Sequence, residues 1–292
     1  MVSSIHLPGA GVWTVFIQEM RRRCRVRGAI WTLVLTATHL ALAFALQFNL
    51  SPLTEYSPLV YRTLSRVIMM EAITIPCLFL LLASVIGALV APGKSEMKAI
   101  EAQLLTRLSA FEVCAGRLLA GHWNLIVSLT LSSIVWMLLN EVFWFEKPVA
   151  SGNFGILFVF IIQLGAVLLV GAISMLFAIR LKRERSLGSG AAAGGIWTVF
   201  SLAGILMLNP LIQKMEDPTR FIDALLFFNP SASAASALHH DILRWSWIYE
   251  RTVAPEYPFS YPAVWQSVLF FYFCAFALLH ICAWRIKRGV GR

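Results

Sequence analysis

The sequence predicts an all-α integral membrane protein with six crossing helices, and three observations carry that expectation. Charged residues make up 13% of the chain against 59% hydrophobic residues, where a soluble domain has about a quarter charged. The charges are absent from six long runs, 28–54, 72–93, 118–140, 148–179, 186–213 and 257–284. A helix of about 20 apolar residues crosses the hydrocarbon, and only helices and closed barrels satisfy their own backbone groups there. Finally, arginine and lysine are unevenly shared among the connections. With both termini inside, 17 of the 24 Lys+Arg and 5 of the 15 Asp+Glu fall on the inner side, the bias expected of cytoplasmic segments. The net charge of +9 therefore faces an anionic inner leaflet and is not a nucleic-acid footprint.

Residues 1–28 read as a cytoplasmic entry segment. Trp13, Phe16, Ile17, Met20 and Cys24 recur at helical spacing, and Arg21, Arg22, Arg23, Arg25 and Arg27 supply charge, the pattern of an amphipathic helix lying in the inner interface. The first charge-free run is too long for a signal-peptide core, so the first span is expected in the mature chain. Residues 29–292 then form one transmembrane domain with helices at about 29–49, 67–91, 118–140, 154–179, 190–209 and 261–284. Helix 2 stops at Pro92-Gly93 and helix 5 at Asn209-Pro210, both breaker pairs. Arg285, Lys287 and Arg288 anchor the inner end of helix 6. The connection between helices 5 and 6 is too long for an unstructured loop. Its charge-free middle, 224–240, is broken by Asn229-Pro230 and is too short to span, which predicts an outer re-entrant or interfacial helical pair. Trp245, Trp247, Tyr249, Tyr257 and Tyr261 follow it, aromatics suited to an interface.

The inner segment 94–117 predicts a short cytoplasmic helix after Ser95 with an apolar stripe of Met97, Ile100 and Leu104, flanked by Lys98 and Glu101. Ser109-x-x-Glu112 is a capping box, so a new helix starts there. A short amphipathic helix at this surface can dock into a groove on a soluble partner or serve as a plain interfacial linker. Gly87 to Ser95 approaches a phosphate-binding loop, but five residues separate Gly87 from Gly93 where that loop has four, and no buried strand precedes it. Nucleotide binding here is excluded. Cys24, Cys77, Cys114, Cys274 and Cys282 include no CxxC pair, which argues against zinc or a disulfide framework. His39, Gln163 and His280 lie inside spans and are read as helix-joining hydrogen-bond groups. His239-His240-Asp241 has no usual metal spacing. Gly190 and Gly194 form a GxxxG pattern that serves either a dimer contact or packing within one subunit.

The stretch 101–118, Glu-x-x-Leu-Leu-Thr-x-Leu-Ser-x-x-Glu-x-x-x-Gly-Arg-Leu, resembles the inner loop of the permeases of the ABC-2 type transporter family. Glu19-Met20-Arg21-Arg22-Arg23-Cys24-Arg25 is similar to that family's basic entry helix, and Asn229-Pro230 to its proline motif before the last helix. Arg107 stands where the family usually has proline, and Glu96 to Ile100 replaces its charged Gly-Thr stretch. The resemblance implies the transmembrane subunit of an exporter in the cell inner membrane, paired with a second permease copy or a homologous permease and with two cytoplasmic ATPase subunits. ATP and Mg would bind the ATPases, with no cofactor or metal on this chain. Residues 95–106 would be the coupling helix, and Glu101, Leu104, Leu105, Thr106, Leu108 and Glu112 would carry contact or local geometry. Glu19, Arg22 and Arg23 would belong to the entry helix, and Asn229 and Pro230 to the outer motif.

Two other function classes share some of these features. A non-transporting membrane scaffold that recruits a soluble partner would share the same inner helix. An intramembrane enzyme needs convergent catalytic groups at one depth, and the spans contain no paired Asp/Glu, HExxH or Gly-x-Ser-x-Gly. The chain is not expected to be an enzyme.

Overall fold

The computed structural model describes residues 10–23, 34–38, 41, 78–92, 100–101, 103–104, 108–142, 152–179, 183–239 and 251–290. Its long elements are α1 (Ala10–Arg23), α2 (Leu78–Val90), α3 (Ala110–Val142), α4 (Gly152–Ile179) and α5 (Arg183–Met207). Three short helices follow, α6 (Asn209–Ile212), α7 (Thr219–Phe227) and α8 (Pro230–Ala237), then α9 (Val264–Val290). Among the described residues all regular structure is helical, and four helices are long and apolar enough to cross a membrane: Ala110–Leu138, Asn153–Ile179, Gly188–Met207 and Val264–Arg288. They correspond to predicted helices 3 to 6. Most of predicted helix 1, including His39, and the first part of predicted helix 2 lie outside the described residues.

The central element is α4, which packs against α3, α5, α8 and α9. Small residues let the helices close on it. A Cβ on Gly87 of α2 would come within 2.3 Å of the Gly171 carbonyl oxygen of α4, so backbone meets backbone there. Gly87 is thus a helix-packing residue and opens no phosphate loop. His122 of α3 fills the adjoining space, fully buried. Its Nδ1 contacts the Leu118 carbonyl at 2.8 Å and its Nε2 the Ala83 carbonyl of α2 at 3.2 Å. The Gly190–Gly194 pattern is used in packing within the chain. Both glycines are buried; a Cβ on Gly190 would meet the Ser174 carbonyl oxygen at 2.6 Å, and one on Gly194 the Ser174 Oγ at 2.1 Å.

Buried apolar residues fall into two clusters, one towards each end of the bundle. One gathers Val15 of α1, Val90 of α2, Ile100, Val113 and Leu118 of α3, Met175 of α4 and Cys282 and Ile286 of α9. The other gathers Leu129 and Trp136 of α3, Ile156 and Ile162 of α4, Ile205 of α5, Ile222 and Leu226 of α7, the alanines of α8 and Phe271 of α9. The start of α3 therefore lies beside the ends of α2, α4 and α9. That end carries α1 and the basic last turn of α9, with Lys287 and Arg288; it is called the basic end below.

The long connection between α5 and α9 is built of helices at the other end. α7 and α8 are 9 and 8 residues long and meet at Asn229. Neither has the roughly 20 residues a crossing needs. Nearly every residue of α8 is buried, because its Ala/Ser composition lets it approach α4, α5 and α9 closely. Tyr257 and Tyr261 pack on this cluster, whereas Trp245, Trp247 and Tyr249 lie outside the described residues.

Candidate functional site

At the basic end, three stretches singled out in the sequence converge. α3 begins where the capping box places it. The Ser109 backbone N–H and Oγ–H donate to Glu112 Oε2 at 2.7 and 2.9 Å, and the Glu112 N–H donates to Ser109 Oγ at 3.2 Å. Reciprocal bonding of this kind satisfies donors that a helix start otherwise leaves open. Glu112 also faces α1, since a Cβ on Gly11 would overlap its carboxylate.

One turn further along, Gly116 lets α1 settle on α3. A Cβ at Gly116 would lie 2.7 Å from Val15 Cβ and 2.9 Å from the Val12 carbonyl oxygen. Next to it, the Arg117 Nη2 reaches Glu19 Oε1 at 3.4 Å, with only 3% and 6% of the two side chains exposed. An ion pair this far from water depends on both partners, because removing either one leaves a buried charge. Phe16 closes the joint edge-on against Trp123 at 5.3 Å.

The protein-facing stripe of α1 is therefore Val12, Val15, Phe16 and Glu19, at the i, i+3, i+4, i+7 spacing of one helix face. The stripe read from the sequence is a different one: Trp13 and Ile17 are 60% and 46% exposed, Phe16 is buried, Met20 is half-buried, and Cys24 lies outside the described residues. The helix has two apolar faces, one on α3 and one outward. Arg22 and Arg23 belong to its last turn.

The inner segment reaches the same place. Ile100 is fully buried in the basic-end cluster, and Leu104 and Leu108 pack against it. Glu101 is helical and half-buried. Ile100, Leu104 and Leu108 thus face their own protein. Leu105 and Thr106 lie outside the described residues. A further tie, which the sequence reading missed, runs from α9 to α4. Arg285 Nη1 donates to the Leu176 carbonyl at 3.2 Å, one of the four carbonyls that the end of α4 leaves without a helical donor.

At the opposite end, Asn229 organises the proline motif. Its Oδ1 accepts from the Ser231 and Ala232 N–H groups at 2.8 and 3.2 Å, and its Nδ2 donates to the Leu202 carbonyl of α5 at 3.3 Å. Pro230 opens α8, where its missing N–H costs nothing. Ser233 Oγ donates to Ser267 Oγ of α9 at 2.8 Å. Asn209 was read only as a helix stop, yet it is a second anchor: Oδ1 accepts from Thr252 Oγ1 and the Val253 N–H at 3.0 and 3.1 Å.

Among the described residues the remaining polar candidates lie apart from one another. Gln163 is buried in α4, and its Nε2 has no partner among the described residues. His280 is exposed on α9, with Nδ1 against the Phe276 carbonyl at 3.1 Å. His239 ends α8 in the left-handed region at φ 55°, while His240 and Asp241 lie outside the described residues. No group of three metal-ligating side chains occurs among the described residues. At the basic end a buried ion pair ties α1 to α3, a capping box fixes the start of α3, and Ile100, Leu104 and Leu108 pack into the same apolar cluster. Comparison with protein-family models gives no match, and comparison with curated proteins gives none.

Proposed function

We propose that this chain is the transmembrane permease subunit of an ATP-driven exporter of the ABC-2 type, working from the cell inner membrane with both termini in the cytoplasm. Two permease subunits, identical or homologous, form the pathway, and two separate cytoplasmic ATPase subunits hold ATP and Mg. Six crossings, with α7 and α8 as the outer re-entrant pair, complete the architecture.

The single observation that carries this reading is the convergence at the basic end. The stretches 19–25 and 101–118, which resemble the family, meet where Glu19 pairs with Arg117 and Ser109 with Glu112. A push delivered to the segment around Glu101 would reach α3 through the apolar cluster that Ile100, Leu104 and Leu108 share with Val113 and Leu118, and α1 through the ion pair. Such coupling needs a packed, two-position element and no bond chemistry on the chain.

The test is to purify the chain from its native membrane and identify what accompanies it. A co-purifying ATPase with phosphate-binding-loop motifs is expected. Glu101→Lys should lower ATP turnover of the reconstituted complex while leaving its thermal melting unchanged. Full transport by the chain alone in liposomes, with no ATPase, would overturn the proposal. A scaffold that only recruits a soluble partner would leave that partner's ATP turnover unaltered by Glu101→Lys.

A further inference from the structure

Among the described residues, one face of α9 is largely uncovered, and its chemistry changes along its length. Trp265, Leu269, Phe273 and Phe276 are 62%, 60%, 70% and 52% exposed and follow one another at three- and four-residue steps, a single stripe on a helix. Continuing the same steps towards the basic end, the stripe meets Trp284 and then Lys287 and Arg288, all exposed. The Arg288 guanidinium lies 3.8 Å over the Trp284 ring, held by the cation–π attraction. No acidic residue occurs anywhere after Glu256, so this cationic end is not neutralised from its own helix. The nearest carboxylate on the neighbouring α3, Glu112, is engaged by Ser109. Phe111 of α3 walls the stripe on one side, with ring centroids 5.4 Å from Phe276 and 4.4 Å from His280.

The dimensions match half a bilayer. From Phe273 to Arg288 the helix rises about 22 Å at 1.5 Å per residue, and a bilayer with its headgroups is about 40–45 Å thick. An occupant that is apolar over most of this length and anionic at the end is an anionic phospholipid.

We infer that the face of α9 from Phe273 to Arg288 binds one anionic phospholipid, its phosphate on Arg288 and Lys287, its glycerol level at Trp284 and an acyl chain along Phe276 and Phe273. The inference needs only that α9 crosses a membrane, so it stands or falls separately from transport.

The test is native mass spectrometry of the full chain in neutral detergent, titrated with phosphatidylglycerol or with phosphatidylcholine of the same acyl chains. The parent should retain phosphatidylglycerol preferentially. Arg288→Gln and Lys287→Gln should each weaken that retention about fivefold, as expected for one basic residue near an anionic surface, with phosphatidylcholine unaffected. Arg288→Lys should restore part of the loss, since it keeps the charge and loses the planar stacking. Arg21→Gln, which removes an exposed charge from α1, should change nothing. All these residues are exposed, and a melting curve beside each titration checks folding. The inference is overturned if the double variant keeps the preference, or if Arg21→Gln weakens retention as much as Arg288→Gln. It is also overturned if millimolar inorganic phosphate displaces the lipid, or if Phe273→Cys cross-links two copies while the lipid is retained in full.

Discussion

At the basic end the ties are made by charged side chains: Glu19 to Arg117 and Arg285 to the Leu176 carbonyl join helices, and the Glu112 carboxylate holds the start of its own helix. At the far end, the ties are mainly neutral amides and hydroxyls, with Asn209, Asn229, Ser233 and Ser267 as the working groups and Asp223 accepting from the Ser260 N–H at 2.8 Å. Neutral ties lose little when one is cut, and many share the load. A buried charge pair concentrates the load on two side chains. Under the proposed function, the end with the concentrated load is the one that would receive the push.

The sharpest way to break that contrast is Glu19→Ala. Losing one member of a buried pair costs about 3 kcal/mol or more, and α1 should loosen from α3. Thermal melting in detergent measures this. Glu19→Leu combined with Arg117→Met should recover most of the loss, because an apolar pair of similar size needs no partner. Melting of Glu19→Ala like the parent's would show that the pair carries no load.

Gly116→Ala tests the same joint without touching charge. The added methyl meets the stiff, β-branched Val15 and the Val12 carbonyl, and neither can swing aside. Overpacking of this kind costs about 1–3 kcal/mol. The loss should appear both in melting temperature and as faster amide exchange in α1, with the α7–α8 amides unchanged. Exchange rising equally at both ends would show one cooperative body in place of two separately held ends.

At the far end, Asn229→Ala removes the N-cap of α8 and should cost about 1–2 kcal/mol. Asn229→Asp separates its two roles. The carboxylate still accepts from the Ser231 and Ala232 N–H groups, but it cannot donate to the Leu202 carbonyl. Stability close to the parent's would mean that the cap matters and the tie to α5 does not.

These sites differ in how legible they were. The capping box was readable because both partners sit three residues apart and the motif is local. The spans from α3 onward were readable because lipid excludes charge from long runs. The Glu19–Arg117 pair was not readable as a pair, since no short-range rule links two helices distant in sequence. The usable hint was an acid at Glu19 continuing the Val12, Val15 spacing. The second, protein-facing stripe of α1 was not legible for a related reason: lipid is as apolar as leucine, so hydrophobicity cannot tell a face turned to protein from one turned outward. The same blindness left Gly190 and Gly194 with two uses until the positions of Ser174 and Ala178 showed one of them, packing within the chain.

The smallest expected effect separates two kinds of helix start within the far end. Asp217 is fully exposed ahead of α7, and its carboxylate accepts from the Thr219 N–H at 3.1 Å. Its hydrogen bonds with Thr219, side chain first, hold its pKa below the usual carboxylate value. A group whose folded value is depressed stabilises the fold above its ordinary value, and that contribution is lost as pH falls through the folded value. Acidification below the usual carboxylate range should therefore speed amide exchange over Thr219–Ile222. The start of α8, capped by the neutral Asn229, has nothing to titrate and should not respond. Asp217→Asn should remove the acid response of the first turn of α7 while keeping an acceptor for Thr219, and leave any response at the Asp223–Ser260 tie in place. A response of α8 equal to that of α7 would place the titrating group elsewhere, and the far end could then no longer be held to depend chiefly on neutral ties.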